Sequence, residues 1–435
     1  MTAIIGVLNS QGVVIAADSA VTVTAGNIKK VYNKSNKIFT LSKYHPVGIA
    51  IYNSSQFMGI PWETLIKMYR KQLEKKKFDT IEKYKTDFLT FLAKNLSYIS
   101  SEFKENNFYT FCSGDFNSLK TKILDQISNN NITTSGMSDQ DASDHISPII
   151  SQEIKDYRDQ IDAMAKNSLV RFSLAEYIAE HGKQLDETIK VLEDEIKAKF
   201  ALFALTSVDK DLIREMLYGL VKVDYIFESS SGLIFMGFGE KEIYPSSQQV
   251  TIGNVIKDVI RYKIHDPVNI IPGKFNADII SYAQRDVTMT VLKGIDPAFQ
   301  SEINSSLTEA FNTLSEEVAL KITDATEASA TSAAIKTIPT TLIDKLENYR
   351  QKTITQPLLD ILNYMGKEDM AELAESLVSI TSLKRKFTQN SSDESVGGPV
   401  DVAVITKGDG FIWLKRKNYF DIELNRGFID KYYNS

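Results

Sequence analysis

The chain holds a single cysteine, Cys112, in 435 residues, which excludes an intramolecular disulfide and any cysteine-rich zinc site. Its four histidines (His45, His145, His181 and His265) lie far apart, so an HExxH-type metal site is excluded and a histidine-based triad is disfavoured. Glycine, at 21 residues, and proline, at 10, are scarce, which favours long helices over a loop-rich all-β chain. No run of 18 or more apolar residues is present, so no membrane-spanning helix is expected. The segment MTAIIGVLN has neither the basic start nor the apolar length of a secretory signal. An excess of positive charge is also missing. Fifty Lys and Arg against 56 Asp and Glu give a net charge of −6, a poor match to a general nucleic-acid or anionic-membrane binder. The expectation is a cytoplasmic protein with no membrane or nucleic-acid partner.

What is present is ordinary in bulk, with 43% hydrophobic and 24% charged residues, and a length that suggests two to three domains. The first 62 residues read as β. Thr2–Leu8 and Val13–Ala17 are short apolar runs around the turn-forming Asn9–Gly12, and their near-continuous apolar character implies a sheet covered on both faces. Lys37–Leu41 and Val47–Tyr52 read as two further strands, and Pro61 marks a helix start at Trp62. Residues 63–221 carry apolar residues at helical spacing among dense charges, broken by a polar stretch between Ser128 and Asp144. The basic run from Lys67 to Lys77 reads as a solvated helix face. Strands are expected again at Val223–Phe227, Gly232–Phe238, Ile243–Pro245 and Gln249–Ile252. Residues 296–369 read as helical, as does Met370–Lys386, with Lys384, Arg385 and Lys386 in its last turn. The polar loop Ser391–Gly398 leads to the strand Val400–Thr406, the turn Lys407–Gly410 and a last strand, Phe411–Leu414.

Thr2 opens the chemistry. A small second residue permits removal of Met1, which would place a hydroxyl nucleophile and a free α-amine on one residue. That amine, with an ordinary pKa of about 7.7–8.0, can serve as general base towards its own hydroxyl. Taken alone, Thr2 reads first as a strand-starting threonine. Asp18 follows the apolar run VVIAAD, where a carboxylate is costly unless paired. Lys37, at the head of KIFTL, is a partner for it, and an ammonium near the α-amine keeps that amine neutral. Taken singly, Asp18 reads as a strand-end cap and Lys37 as a surface charge.

The order TAIIGV, GVVIAADS, NKIFTL, VGIAIYNS resembles the start of proteasome β-subunits and the bacterial HslV peptidase. The interval from Thr2 to Asp18 matches that family without a gap. The distal segments LAESLVSITSLKRKF and VDVAVITKGDGFIWL resemble its terminal helix and hairpin. The resemblance implies an α+β fold, a four-layer αββα sandwich of the N-terminal nucleophile hydrolases, built from 1–62, 222–295 and 370–435, with 63–221 and 296–369 as helical insertions. It implies Thr2 as nucleophile, Lys37 as the residue that tunes the amine, and Asp18 as the partner of that lysine. It implies the backbone N–H of Asn53 as oxyanion donor where the family has glycine, and Asp393 and Ser395 as further site residues. Lys34 stands at the unshifted family position and remains an alternative to Lys37. Asp393 and Ser395 are one residue closer together than in the family, and its Gly-Ser-Gly segment is replaced by AQRDVTMT. The implied activity is cleavage of amide bonds, peptide or protein, through an acyl-enzyme on Thr2. The family's implied context is no metal or organic cofactor, a homo-oligomer or ring, and an unfoldase or other partner at the insertions. A non-proteolytic amidase and a catalytically inactive scaffold are the competing readings.

Overall fold

A computed structural model describes residues 2–25, 28–129, 137–167, 169–226, 230–387, 396–418, 420–421 and 423–427. Strands β1 (Ala3–Asn9) and β2 (Gly12–Ala17) form a hairpin in which every residue of the two strands is buried. Its turn is tied by the Gln11 N–H to the Asn9 side chain at 2.9 Å. Gly12 is required there, because a Cβ would stand 2.7 Å from the Ile405 carbonyl. Next come β3 (Val21–Ala25) and β4 (Ile28–Tyr32), a separate two-stranded ladder, then β5 (Ile38–Thr40), β6 (Val47–Asn53) and the short pair β7 (Gln56–Phe57) and β8 (Ile60–Pro61). Helices follow: α1 (Trp62–Leu73), α2 (Ile81–Lys94), α3 (Ser101–Asn129), α4 (Asp139–Ala163), α5 (Leu174–Lys197) and α6 (Ser207–Lys222). Reciprocal capping boxes, Ser173 with Glu176 and Thr206 with Asp209, fix the starts of α5 and α6. The chain returns to β structure in β9 (Ser231–Gly237), β10 (Ser246–Ile256), β11 (Val259–Ile264), β12 (Val268–Asn269) and β13 (Ala277–Ala283). It ends in α7 (Asp286–Lys293), α8 (Pro297–Ala319), α9 (Ala325–Arg350), α10 (Gln356–Leu362), α11 (Lys367–Phe387), β14 (Asp401–Thr406) and β15 (Gly410–Lys415).

The fold is α+β with antiparallel sheets. One runs β13-β1-β2-β14-β15; the other runs β11-β10-β9-β6-β5, with β12 paired to β10. Strand alternation assigns the faces. Ile4, Leu8, Val13, Ile15 and Ala17 of the first sheet meet Ile38, Ala50, Ile234 and Met236 of the second in one apolar seam. The opposite residues, Ile5, Val7, Val14 and Ala16, pack against Leu362 of α10 and Met370, Ala374 and Leu377 of α11. The outer face of the second sheet, including Ile49, Ile51, Leu233 and Phe235, is covered by Trp62, Ile66 and Tyr69 of α1 and Tyr84 and Phe88 of α2. The central strands β1, β2, β6 and β9 are therefore covered on both faces, which is why they read as near-continuous apolar runs.

The remaining helices divide. Helices α3–α6 bury their apolar faces mainly against one another, joined to the second sheet's residues through Ile256. Helices α8 and α9 pair as a hairpin in which Ser315 and Ser332 hydroxyls meet at 2.6 Å, and only Ser315, Pro339 and Arg350 are buried along its length. Among the described residues no helix is long and apolar enough to cross a membrane.

Two local expectations change. In place of a strand at Val223–Phe227, Val223 makes only an isolated bridge to Lys166, and Phe227 lies outside the described residues. The physical reason is Arg261. Its buried guanidinium donates to the carbonyls of Leu220, Val221, Val223 and Tyr225 at 3.3, 3.0, 3.4 and 3.0 Å. Those acceptors are then committed to closing the C-terminal end of α6 instead of to a ladder. Ile243–Pro245 is likewise a turn, with Ile243 75% exposed, and the strand expected at Gln249–Ile252 is the longer β10.

Arg261→Ala leaves several of these buried carbonyls without a donor and is expected to cost about 2–4 kcal/mol, read as a lower urea midpoint of the helical signal. A second expectation concerns His181 on α5. Its ring stacks on Phe108 of α3 with centroids 3.9 Å apart, and its Nε2 is buried without a hydrogen-bond partner. Burial, with a smaller contribution from the Lys257 ammonium, lowers its pKa from 6.5 to about 4. The unfolded chain thus binds the proton first. Stability is complete above pH 6.5 and falls by on the order of 2–3 kcal/mol as pH drops towards 4. Chemical denaturation of His181→Phe across that range should show the slope reduced by one proton.

Candidate active site

The strand ends meet at one edge of the two sheets: the start of β1, the end of β2, the start of β5, the end of β6 and the start of β14. Asp18, 1% exposed, leaves β2 at this edge. Its Oδ1 accepts the backbone N–H of Ala3 at 2.9 Å and the Lys37 ammonium at 2.6 Å. Its Oδ2 accepts the N–H groups of Ala20 at 3.1 Å and Gly397 at 3.0 Å. Asp18 N–H in turn donates to Ala3 O at 3.1 Å, closing the hairpin. A buried carboxylate with four donors meets the requirement that buried charge be paired and hydrogen-bonded.

Lys37 is 3% exposed and directly precedes β5, where its carbonyl takes the Ile51 N–H at 2.8 Å. Burial pushes its ammonium below the ordinary lysine value, and the attraction of Asp18 opposes that without reversing it. Lys417 lowers it further and Asp401 raises it; these two form their own partly buried pair. Lys34 is exposed, so the structure brings Lys37, not Lys34, to Asp18. Thr2, 5% exposed, is held through the peptide that links it to Ala3 and so to the carboxylate of Asp18.

Asn53 closes β6 with φ of +64°, the left-handed region that favours glycine and in which asparagine is the best-tolerated substitute. The segment after it is fixed by Ser231, whose hydroxyl accepts from Trp62 Nε1 at 2.7 Å and donates to Ser54 O at 3.2 Å. Asp393 and Ser395 lie outside the described residues. The chain immediately beyond them is anchored: Gly397 donates to Asp18, and its carbonyl takes the Ser19 N–H at 3.0 Å.

Sequence reasoning missed Gly397, the Asp401–Lys417 pair and Ser231. Only GGP before the β14 strand and the lone Trp62 at a helix start signal them, and neither identifies a partner. It also missed β13, which pairs with β1 from Ala3↔Ala283 to Asn9↔Ala277. In the AQRDVTMT segment after β13, the side chains of Gln284 and Asp286 accept from Arg385 of α11. Among the described residues no group of three or more His, Cys, Asp or Glu side chains is gathered as metal ligands would be. Compared with known proteins, the chain matches no family model and no curated protein.

Asp18→Asn leaves the Lys37 ammonium buried without a counter-charge and is expected to destabilise the fold by about 3–5 kcal/mol in urea denaturation. The double variant Asp18→Asn/Lys37→Met should recover part of that loss, because the uncompensated charge is gone. Equal stability of Asp18→Asn and the unaltered chain would contradict the pairing.

Proposed function

We propose that the chain is a threonine-type N-terminal nucleophile hydrolase that cleaves amide bonds, peptide bonds foremost, with Thr2 as nucleophile. The observation that carries this reading is the shared oxygen. Asp18 Oδ1 receives both the N–H of the residue after Thr2 and the ammonium of Lys37. One carboxylate thereby sets the position of the chain start relative to a buried cation. The helix–sheet–sheet–helix stacking supports reading the fold as the four-layer αββα sandwich of such hydrolases.

The mechanism follows from removal of Met1. The Thr2 hydroxyl attacks the substrate carbonyl while the α-amine takes its proton. Lys37 disfavours a second cation at that amine, which keeps it neutral and basic. The Asn53 N–H, presented by the positive φ at the end of β6, supports charge on the carbonyl oxygen. Collapse expels the leaving amine, protonated by the α-amine, and leaves an ester on Thr2. Water then attacks the ester, releasing the acid and restoring the hydroxyl. No step calls for a metal or organic cofactor. A homo-oligomer that encloses the site accords with peptide hydrolysis. The insertions offer surfaces for a partner such as an unfoldase.

An inactive scaffold is favoured by one observation. The segment after β13 is engaged with α11 through Arg385, where an active member of the resembled family would present a serine to the nucleophile. The two readings differ in a direct measurement. Intact mass should show Met1 absent, and a β-lactone electrophile should add one equivalent that maps to Thr2. Thr2→Ala should give no adduct, and Lys37→Met should slow its formation about 100-fold or more. Retention of Met1, or an adduct that persists in Thr2→Ala, overturns the reading.

A further inference from the structure

Between the start of α2 and the first residues of β10 lies a cleft of about 460 Å³, within the range of small-molecule sites. It sits at the far end of the second sheet from the candidate active site. Ser246 pairs with Gly237 at one end of β9, whereas Asn53 pairs with Ser231 at the other. Into this cleft faces Lys85, whose side chain is only 2% exposed although it borders the opening. Its ammonium donates to Gln248 Oε1 at 3.0 Å, and among the described residues it forms no ion pair with a carboxylate. Burial holds this ammonium below its ordinary pKa, and Glu82 pulls it only partly back.

An ammonium has three N–H donors, and one is spent here. Because Lys can only donate, Gln248 must turn its carbonyl towards it, which leaves the amide NH2 for another acceptor. The neighbouring Glu242 does not supply that acceptor. Its Oε2 takes the N–H groups of Gly239 and Ile81 at 2.6 and 3.0 Å, and its Oε1 takes the Ser246 hydroxyl at 3.2 Å. The remaining donors of Lys85 and Gln248 border the cleft, and a ligand carboxylate fits them with two hydrogen bonds, one of them charge-assisted. Apolar side chains, Ile243, Pro245, Ile264, Pro267 and Ile270, share the wall with the polar Thr80, Ser246 and Asn269. With Glu82 and Glu242 on the rim and a single cation within, a dianion such as phosphate is opposed by like charge.

We propose that this cleft binds a small monocarboxylate with an apolar body, its carboxylate meeting Lys85 Nζ and the Gln248 amide and its apolar part lying along the Ile264–Ile270 wall. The site is independent of Thr2 and stands whether or not the chain hydrolyses amides.

Calorimetric titration of the full chain with hexanoate, its neutral isostere hexanamide and inorganic phosphate tests this. Hexanoate should bind, hexanamide about tenfold or more weaker, and phosphate not measurably. Lys85→Met, which removes a buried charge and is expected to fold, should abolish the preference for hexanoate over hexanamide. Gln248→Glu gives Lys85 an internal carboxylate and should weaken hexanoate by a similar factor. Hexanoate should also protect Lys85 from reductive methylation, read by peptide mass. The proposal is overturned by equal binding of acid and amide, by unchanged hexanoate binding in both variants, by stronger binding of phosphate, or by no binding of hexanoate at millimolar concentration.

Discussion

Much of the core depends on one buried carboxylate. Asp18 collects donors from four places in the chain: Ala3 in β1, Ala20 beyond β2, Lys37 before β5 and Gly397 before β14. Isolated in the interior, the charge would be expensive; with four donors it becomes a junction that few alternative arrangements of those strands would satisfy. It joins the first hairpin to a segment more than 370 residues later and couples the first sheet to the second through Lys37. Local geometry and long-range topology are thus set by the same group of atoms.

Around this junction the helices serve different purposes. Helices α1, α2, α10 and α11 complete the core by covering the sheets. Helices α3–α6 hold a core of their own and are tied back through Arg261, which spends its donors on the end of α6. The α8–α9 hairpin buries almost nothing beyond its own seam. A gradient of packing therefore runs outward from the sheets, and local opening is expected to follow it, with the α8–α9 hairpin least protected.

Where residues face apolar neighbours on both sides, the sequence was readable. The runs IIGVL, VVIAA and VGIAIY could be recognised as strands, and the amphipathic stretch from Met370 marked α11. KIFTL placed Lys37 at a strand head, where its ammonium is found 2.6 Å from Asp18. Readability failed where a single polar contact decides the structure. Arg261 looks like any surface-strand arginine, yet it prevents a ladder at Val223. β13, with ADIISYA, alternates buried and partly exposed residues and carries Asp278 and Ser281, so it lacks the continuous apolar signature of its neighbours. Asn53 appeared as a departure from glycine, and its φ of +64° supplies the reason the position admits few residues. Lys85 gave no signal at all, because its burial depends on α2 lying across β10.

The central claim is that Asp18 and Lys37 hold the α-amine of Thr2 neutral and basic. Isotope-detected titration of that amine in the purified chain tests it most directly. The account predicts a pKa below the ordinary range of about 7.7–8.0, rising towards it in Lys37→Met. An amine that titrates at or above the ordinary range in both proteins, or an amino terminus that is not Thr2, would contradict it.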